Sequence, residues 1–288
     1  MRRVWLVIFL LAIIMGSMLL GCSQTDNART AQPEKTAPLP QRIISLTPSN
    51  TEILYALGLE GRVAGITKYC DYPPETAKKT KVGESSVSLE KVVALKPDLV
   101  LAHSVLNDIE IRRLKALGIK VLDTDPETFA EVIADIRKIG KATGTNEQAE
   151  KLAGSMEKAI DTAKNKSHRG QKAKMLVVIQ ASPLWVAGPK TFVDEMISYS
   201  NGENIARDAK PGFNQFSSEI AFARNPDLII VTRPEDKTYF KKSPVWKETN
   251  AVRSGHVEVI DPDLMLRPGP RLVQGLKALS TISHSAGR

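Results

Sequence analysis

The sequence predicts an α/β fold of two similar lobes with parallel sheets, joined by one long backbone helix, with a ligand cleft between the lobes. Three observations carry that expectation. From Arg42 onward, short β-branched runs alternate with amphipathic stretches, the pattern of βα units. One segment recurs later in the chain at a fixed offset, and an unbroken helix-forming stretch lies between the two copies. The 288 residues suffice for a buried core in each lobe.

The chain starts with a different kind of segment. Arg2 and Arg3 precede an apolar run from Val4 to Met15, then Gly16-Ser17-Met18-Leu19-Leu20-Gly21-Cys22. A basic region, an apolar region and small residues at the boundary describe an export signal over residues 1–21. Leu19-Leu20-Gly21-Cys22 resembles the bacterial lipobox, in which the cysteine is acylated and becomes the mature N-terminus. The alternative is a retained anchor helix, since residues 4–20 are nearly long enough to span a bilayer. Either way the body is tethered outside the cytoplasmic membrane. Residues 22–41 hold three prolines and almost no apolar content, so they read as a flexible tether with a reach of roughly 25 Å.

Residues 42–145 form the first predicted lobe. Strands are expected at 42–46, 63–66, 99–102 and 120–122, and helices at 51–57, 89–95 and 108–117, with Gly58 and Gly118 ending the first and last of these helices. Residues 146–168 have good helix formers and almost no breakers. Ala149, Leu152, Ala153, Met156, Ala159, Ile160 and Ala163 recur at three and four, giving one buried stripe on an interlobe helix of roughly 30 Å. A helical connection favours small rocking over large closure.

Residues 169–288 form the second lobe. Here residues 218–230 align without gaps on residues 89–101 at an offset of 129, with Glu, Ala, Pro, Asp and Leu coinciding. Val121, Asp123 and Asp125 echo in Val259, Asp261 and Asp263 at an offset of 138. A common helix-Pro-Asp-strand junction accounts for the Pro-Asp-Leu but not for the shared glutamate upstream. Two lobes of one plan explain both better than one continuous sheet.

Composition narrows the function. Hydrophobic and charged fractions of 42% and 25% are ordinary globular values. The net charge of +8 is spread along the chain without a zinc-finger or aromatic–basic pattern, so no nucleic-acid partner is expected. Two cysteines, Cys22 and Cys70, exclude a disulfide scaffold, and Cys70 is expected as a free thiol. The chain has no Gly-x-Ser-x-Gly elbow, no His-Glu-x-x-His and no phosphate loop. His103, His168, His256 and His284 are scattered. An enzyme would need a nucleophile–base pair that this pattern does not offer, and no cofactor is implied. Ser49-Asn50-Thr51-Glu52 and Thr191-Phe192-Val193-Asp194 instead read as capping boxes after strands, presenting backbone N–H groups to a cleft.

Several segments carry a family likeness. Residues 42–52, Tyr69-Cys70-Asp71-Tyr72-Pro73-Pro74, Leu89-Glu90, residues 94–100, Gly202-Glu203-Asn204-Ile205, Ser218-Glu219, Asn225-Pro226-Asp227 and Arg267-Pro268-Gly269-Pro270-Arg271 follow one order. Together they resemble the cobalamin and iron-siderophore substrate-binding proteins of ABC importers, the helical-backbone class. The resemblance implies a monomeric extracytoplasmic protein that captures cobalamin, a related corrinoid or another metal chelate and delivers it to a permease dimer. It implies pocket aromatics at Tyr69, Trp185 and Phe213 and an acidic pocket rim at Asp263. His103 stands where cobalamin-binding members have tryptophan, and Leu266 where they have glutamate. It further implies that Glu90 and Glu219 dock onto permease arginines. The alternative cargo is a ferric siderophore or haem, with Lys68, Lys190, Arg233 and Arg267 facing an anionic chelate and Tyr69 or His103 approaching iron.

Overall fold

The computed structural model describes residues 38–84, 86–167 and 171–286. Cys22, the export signal and most of the tether lie outside the described residues. Among the described residues no helix is long and apolar enough to cross a membrane.

The first sheet consists of β1 (Ile43–Ser45), β2 (Val63–Thr67), β3 (Lys81–Gly83), β4 (Leu99–Ala102) and β5 (Val121–Asp123) in the order β3-β2-β1-β4-β5. All four pairings are parallel. The order reverses between β1 and β4, and open α/β sheets bind ligands outside the strand carboxyl ends at such a switch point. The second sheet uses β6 (Ala173–Gln180), β7 (Trp185–Ala187), β8 (Gly202–Asn204), β9 (Phe213–Gln215), β10 (Leu228–Val231) and β11 (Val257–Val259). Its order is β11-β10-β6-β7-β9, with β8 also on β6.

The second sheet is mixed rather than wholly parallel. β10, β11, β6 and β8 pair in parallel, whereas β7 runs antiparallel to both β6 and β9. The reason is local. Only residues 181–184 separate β6 from β7, too few for a parallel crossover, which takes a dozen or more.

The repeat at offset 129 is a structural repeat. Ser88 caps the helix Leu89–Ala94 by accepting from Lys91 N, and Ser217 caps Ser218–Ala223 by accepting from Ile220 N. Each helix is followed by a residue in the left-handed region, Lys96 at φ 47 and Asn225 at φ 48. Each following aspartate then ties down the central strand. Asp98 accepts from the backbone N–H of Gln41 (2.7 Å) and Arg42 (3.0 Å), and Asp227 from that of Lys174 (3.0 Å). The Pro-Asp pair is therefore a strand anchor in both lobes.

The interlobe helix runs Asn146–Lys166 and buries Ala149, Ala153, Met156 and Ile160. His168 lies outside the described residues. A partner helix, Phe129–Thr143, exceeds the sequence expectation and packs against it, with Phe129, Val132, Ile133, Ile136 and Ile139 buried. It opens on a full capping box, Thr128 with Glu131, and closes at Gly144, whose φ is 75. A Cβ on Gly140 would lie 2.4 Å from the Cβ of Ala149, so glycine permits this close helix approach. Through these two helices one apolar core continues from Ile43 and Leu101 in the first lobe to Met175, Phe192 and Leu276 in the second. A shared close-packed core resists wide opening and favours small rocking.

The expected capping box at Ser49 does not form. The helix starts earlier, at Pro48, with Thr47 as an N-cap that makes no side-chain bond. Proline at the first helical position presets φ and leaves no N–H to satisfy, so it fixes the start there. Asn50 instead donates to Thr124 Oγ1 (2.9 Å), and Thr51 Oγ1 donates to Ser45 Oγ (2.8 Å), locking the helix to its sheet. Thr191 does cap its helix, accepting from Asp194 N at 3.0 Å, but Asp194 itself accepts from Asn204 Nδ2 at 2.8 Å. The helix expected at 108–117 runs Ser104–Ala116 and is kinked at Asn107.

Asp135, on Phe129–Thr143, is a carboxyl strongly perturbed by burial. Burial pushes its pKa up to about 6 against the opposing pull of Lys138, with Asp123, Glu131 and Asp125 adding to the rise. A carboxyl with a raised folded pKa holds its proton more tightly when folded. Its contribution is full below the unfolded pKa and is lost as pH rises through about 6. Asp135→Asn should thus stabilise the protein by up to about 2–3 kcal/mol at pH 8 and little at pH 4. Thermal melts of both proteins across that range check this; an equal shift at both pH values would refute it.

Candidate functional site

A cleft of about 510 Å³ opens at the carboxyl ends of the first sheet's strands and is closed by the second lobe. Thr47, Pro48 and Ser49 enter from the end of β1, His103 from β4, and Asp125, Pro126 and Glu127 from β5. The first two groups stand on either side of the switch point. Thr191, Phe192 and Phe213 face them from the second lobe, with Leu266, Arg267 and Pro268 completing the wall.

Apolar surface dominates the rim. Val105 and Leu106 are 76% and 68% exposed although they open a helix directly after β4. Phe213, 39% exposed, rests its ring 6.0 Å from that of buried Phe192. Apolar side chains exposed together at the mouth of a concave site are the kind of surface that binding sites present.

The cationic side of the site is already engaged. Arg267 Nη1 lies 2.6 Å from Asp71 Oδ1 and 3.5 Å from Glu52 Oε1, and its Nε lies 2.8 Å from Asp263 Oδ1. Arg271 binds Glu52 through two bonds, Nε to Oε2 at 2.9 Å and Nη2 to Oε1 at 2.6 Å, and stacks 4.0 Å above the Tyr72 ring. The hydrogen bond from Arg267 holds the Asp71 carboxyl below the usual carboxylate range despite partial burial. Glu52, Asp71 and Tyr72 belong to the first lobe and Asp263, Arg267 and Arg271 to the second. The cluster is a latch between lobes. Lys68 and Arg233 are likewise paired, with Glu84 and with Asp236, while Lys190 is exposed.

His103 is held from behind. Its backbone N–H donates to Asn107 Oδ1 (3.1 Å), the residue at the helix kink. Its buried Nδ1 lies 2.9 Å from Asp125 Oδ1, close in distance but poorly aligned for a hydrogen bond. Asp125 is fixed in turn by Ser104 Oγ, which donates to Oδ2 at 2.7 Å.

Of the six expected ligand contacts, the cleft brings His103, Phe213 and Arg267 together. Asp263 stands behind Arg267. Trp185 lies on β7, whose neighbour β9 carries Phe213, and Tyr69 is 53% exposed two residues from Asp71; neither lines the cleft itself. Sequence reasoning missed Val105 and Leu106. Their position just past β4, where the chain enters the cleft, was the available signal. Glu90 and Glu219 are both exposed, each the second residue of its short helix. Ser217 Oγ donates to Glu219 at 2.7 Å and holds its carboxyl below the ordinary range. Cys70 is a buried free thiol.

The model of the periplasmic binding protein family matches residues 43–264. The chain is 39% identical over 249 residues to the ABC transporter substrate-binding lipoprotein YvrC of Bacillus subtilis, covering 84% of this chain and 79% of YvrC. The structure of the periplasmic vitamin B12 binding protein BtuF of Vibrio cholerae superposes with a TM-score of 0.77 at 26% identity, covering 86% of this chain and 99% of BtuF. The periplasmic heme-binding protein RhuT of Roseiflexus sp. RS-1 gives the same TM-score at 28% identity, covering 86% and 99%.

Proposed function

The chain belongs to the periplasmic binding protein family, solute-binding partners of ABC importers and not enzymes, and from that premise we propose that it captures a corrinoid in the interlobe cleft. One observation carries the choice of cargo. Among the described residues lining the cleft, Arg267 is the one arginine or lysine, and three carboxylates surround it. Asp125 and Glu127 add negative charge to the wall. An anionic ferric chelate or the propionates of haem would need cations that this cleft does not spare. A corrin ring carries neutral amides on its rim and offers a wide apolar face, which suits Phe213, Val105 and Leu106. Trp185 and Tyr69 extend that surface outward, while Asp263 and Arg267 act as wall and latch.

Calorimetric titration of the domain without its tether separates the cargoes. Cobalamin or cobinamide should bind with submicromolar affinity that changes little with added salt, because screening acts on charge and not on apolar burial. Silent titrations with both corrinoids, beside tight salt-sensitive binding of haem or a ferric siderophore, would replace this reading with that one.

Delivery follows the lobe symmetry. A division into lobes 42–145 and 169–288 about the helix Asn146–Lys166 makes the exposed Glu90 and Glu219 matched acidic knobs, one on each lobe. Such a pair suits the two similar subunits of a permease dimer meeting one monomeric binding protein, with steering by charge. Glu90→Ala and Glu219→Ala should each leave ligand affinity near wild type yet reduce uptake, the double variant more than either single one. Normal uptake by the double variant would remove the docking role.

Cys22 attaches the whole to the membrane through acyl chains, a reading supported by Leu19-Leu20-Gly21-Cys22 and by the lipoprotein name of YvrC. Cys22→Ala should abolish metabolic labelling with a fatty acid; label retained on the variant would locate the attachment elsewhere.

A further inference from the structure

We propose that His103 is an axial ligand to the metal of the captured macrocycle, with Asp125 as the residue that orients it. This deepens the corrinoid reading and rests on it. The imidazole stands in the cleft wall on the β4 side of the switch point. Its Nδ1 is buried against the Asp125 carboxylate, so the ring edge that the cleft reaches carries Nε2. The Asp125 carboxylate lies 2.9 Å from Nδ1, and a small rotation of the ring would align an Nδ1–H donor with it and leave the Nε2 lone pair toward the cleft. Histidine backed by a carboxylate in this way is the usual arrangement at metal centres, where the second group fixes ring orientation and raises basicity. The backing is itself secured, since Ser104 holds Asp125 and Asn107 holds the His103 backbone.

A purely structural histidine would not need this placement. The ring sits among Val105, Leu106 and, across the cleft, Phe213, which suit the face of a planar macrocycle rather than a small polar ligand. Tyr69, the other candidate donor, stands exposed outside the cleft lining. The step is a ligand exchange without redox change. The Nε2–metal bond forms, the metal–water bond breaks, water leaves, and the Nδ1 proton stays on the Asp125 side. The metallomacrocycle must therefore have an exchangeable axial position. Cobinamide meets that condition through cobalt and haem through iron.

Electron paramagnetic resonance of the wild-type domain with cob(II)inamide reads the bond directly. One axial nitrogen should split the cobalt lines into triplets, and uniform ¹⁵N-histidine should turn them into doublets. His103→Ala should lose the splitting and also lose the preference for aquocobinamide over dicyanocobinamide, whose axial positions are blocked; that preference should be at least about tenfold in wild type. Asp125→Asn should weaken aquocobinamide binding by about tenfold or more while dicyanocobinamide changes less. Corrinoid binding without nitrogen splitting, or splitting that persists in His103→Ala, overturns the proposal while leaving the corrinoid reading intact. A calorimetric silence toward both corrinoids, with a His103-dependent low-spin haem spectrum, would retire the corrinoid reading and keep the axial role for iron. Binding of neither macrocycle would end both.

Discussion

Arg271→Ala should cost the folded protein about 3–5 kcal/mol, because it strands a buried carboxylate. Glu52 has only 2% of its side chain accessible and receives both bonds of the Arg271 fork. Without that fork the remaining cation near it is Arg267, at 3.5 Å and already shared with Asp71 and Asp263. The stacking of Arg271 on Tyr72 would go as well. The Arg224–Asp208 pair has a similar fork, but Asp208 is exposed to solvent, so losing it should cost far less even though Arg224 also donates to the Ile205 carbonyl. Urea unfolding of Arg271→Ala and Arg224→Ala therefore makes an internal comparison. The double variant Glu52→Leu/Arg271→Leu should recover much of the loss, since apolar replacements of a buried pair are often neutral or better. A cost below about 1 kcal/mol for Arg271→Ala, or no recovery in the double variant, would mean that the latch is not buried as the distances imply.

The latch also shows where a sequence stops being informative. The lobes, the interlobe helix and the repeat were legible because they rest on local periodicity and turn chemistry. Ser88 and Ser217, and Asp98 and Asp227, do the same work in each lobe, so their letters recur at one spacing, while Lys96 and Asn225 share only a left-handed backbone conformation. Strand direction in the second sheet was less legible, because it is decided by the short connection at residues 181–184 rather than by the strands. The helix start at Pro48 turned on one backbone preference that outweighed the Ser49 pattern. Arg267 and Asp71 meet across 196 positions, a distance over which no periodicity speaks. So Arg267 read as a free cation facing a ligand, and only its three carboxylate neighbours reassign it. Val105 and Leu106 fall between the expected strand at 99–102 and the expected helix at 108–117, and composition does not distinguish a core leucine from one waiting at a cleft.

Phe213→Ala should weaken corrinoid binding by about 10–100-fold, the loss expected when a large anchor is removed from a site that becomes fully desolvated. Phe213 is well placed for that role, because Phe192 backs its ring while its own face remains open. Covering apolar surface returns about 25 cal/mol per Å², so an aromatic ring buried by the ligand supplies about 1.5–3 kcal/mol. Leu106→Ala removes less area from the opposite wall and should cost less, roughly tenfold or below. The two walls touch the ligand and not each other's cores, so the double variant should show losses that add in free energy. Trp185→Ala lies farther from the cleft and should weaken binding least, while abolishing any quenching of its fluorescence by the bound ring. Because Phe213 and Leu106 are exposed before binding, their loss should change stability by roughly 0.5 kcal/mol or less. Affinity and stability therefore separate cleanly in this series, in contrast to Arg271→Ala. Calorimetry with cobinamide across the variants provides the measurement. A Phe213→Ala protein that binds as tightly as wild type would place the macrocycle away from β9, and the apolar wall would then need another occupant.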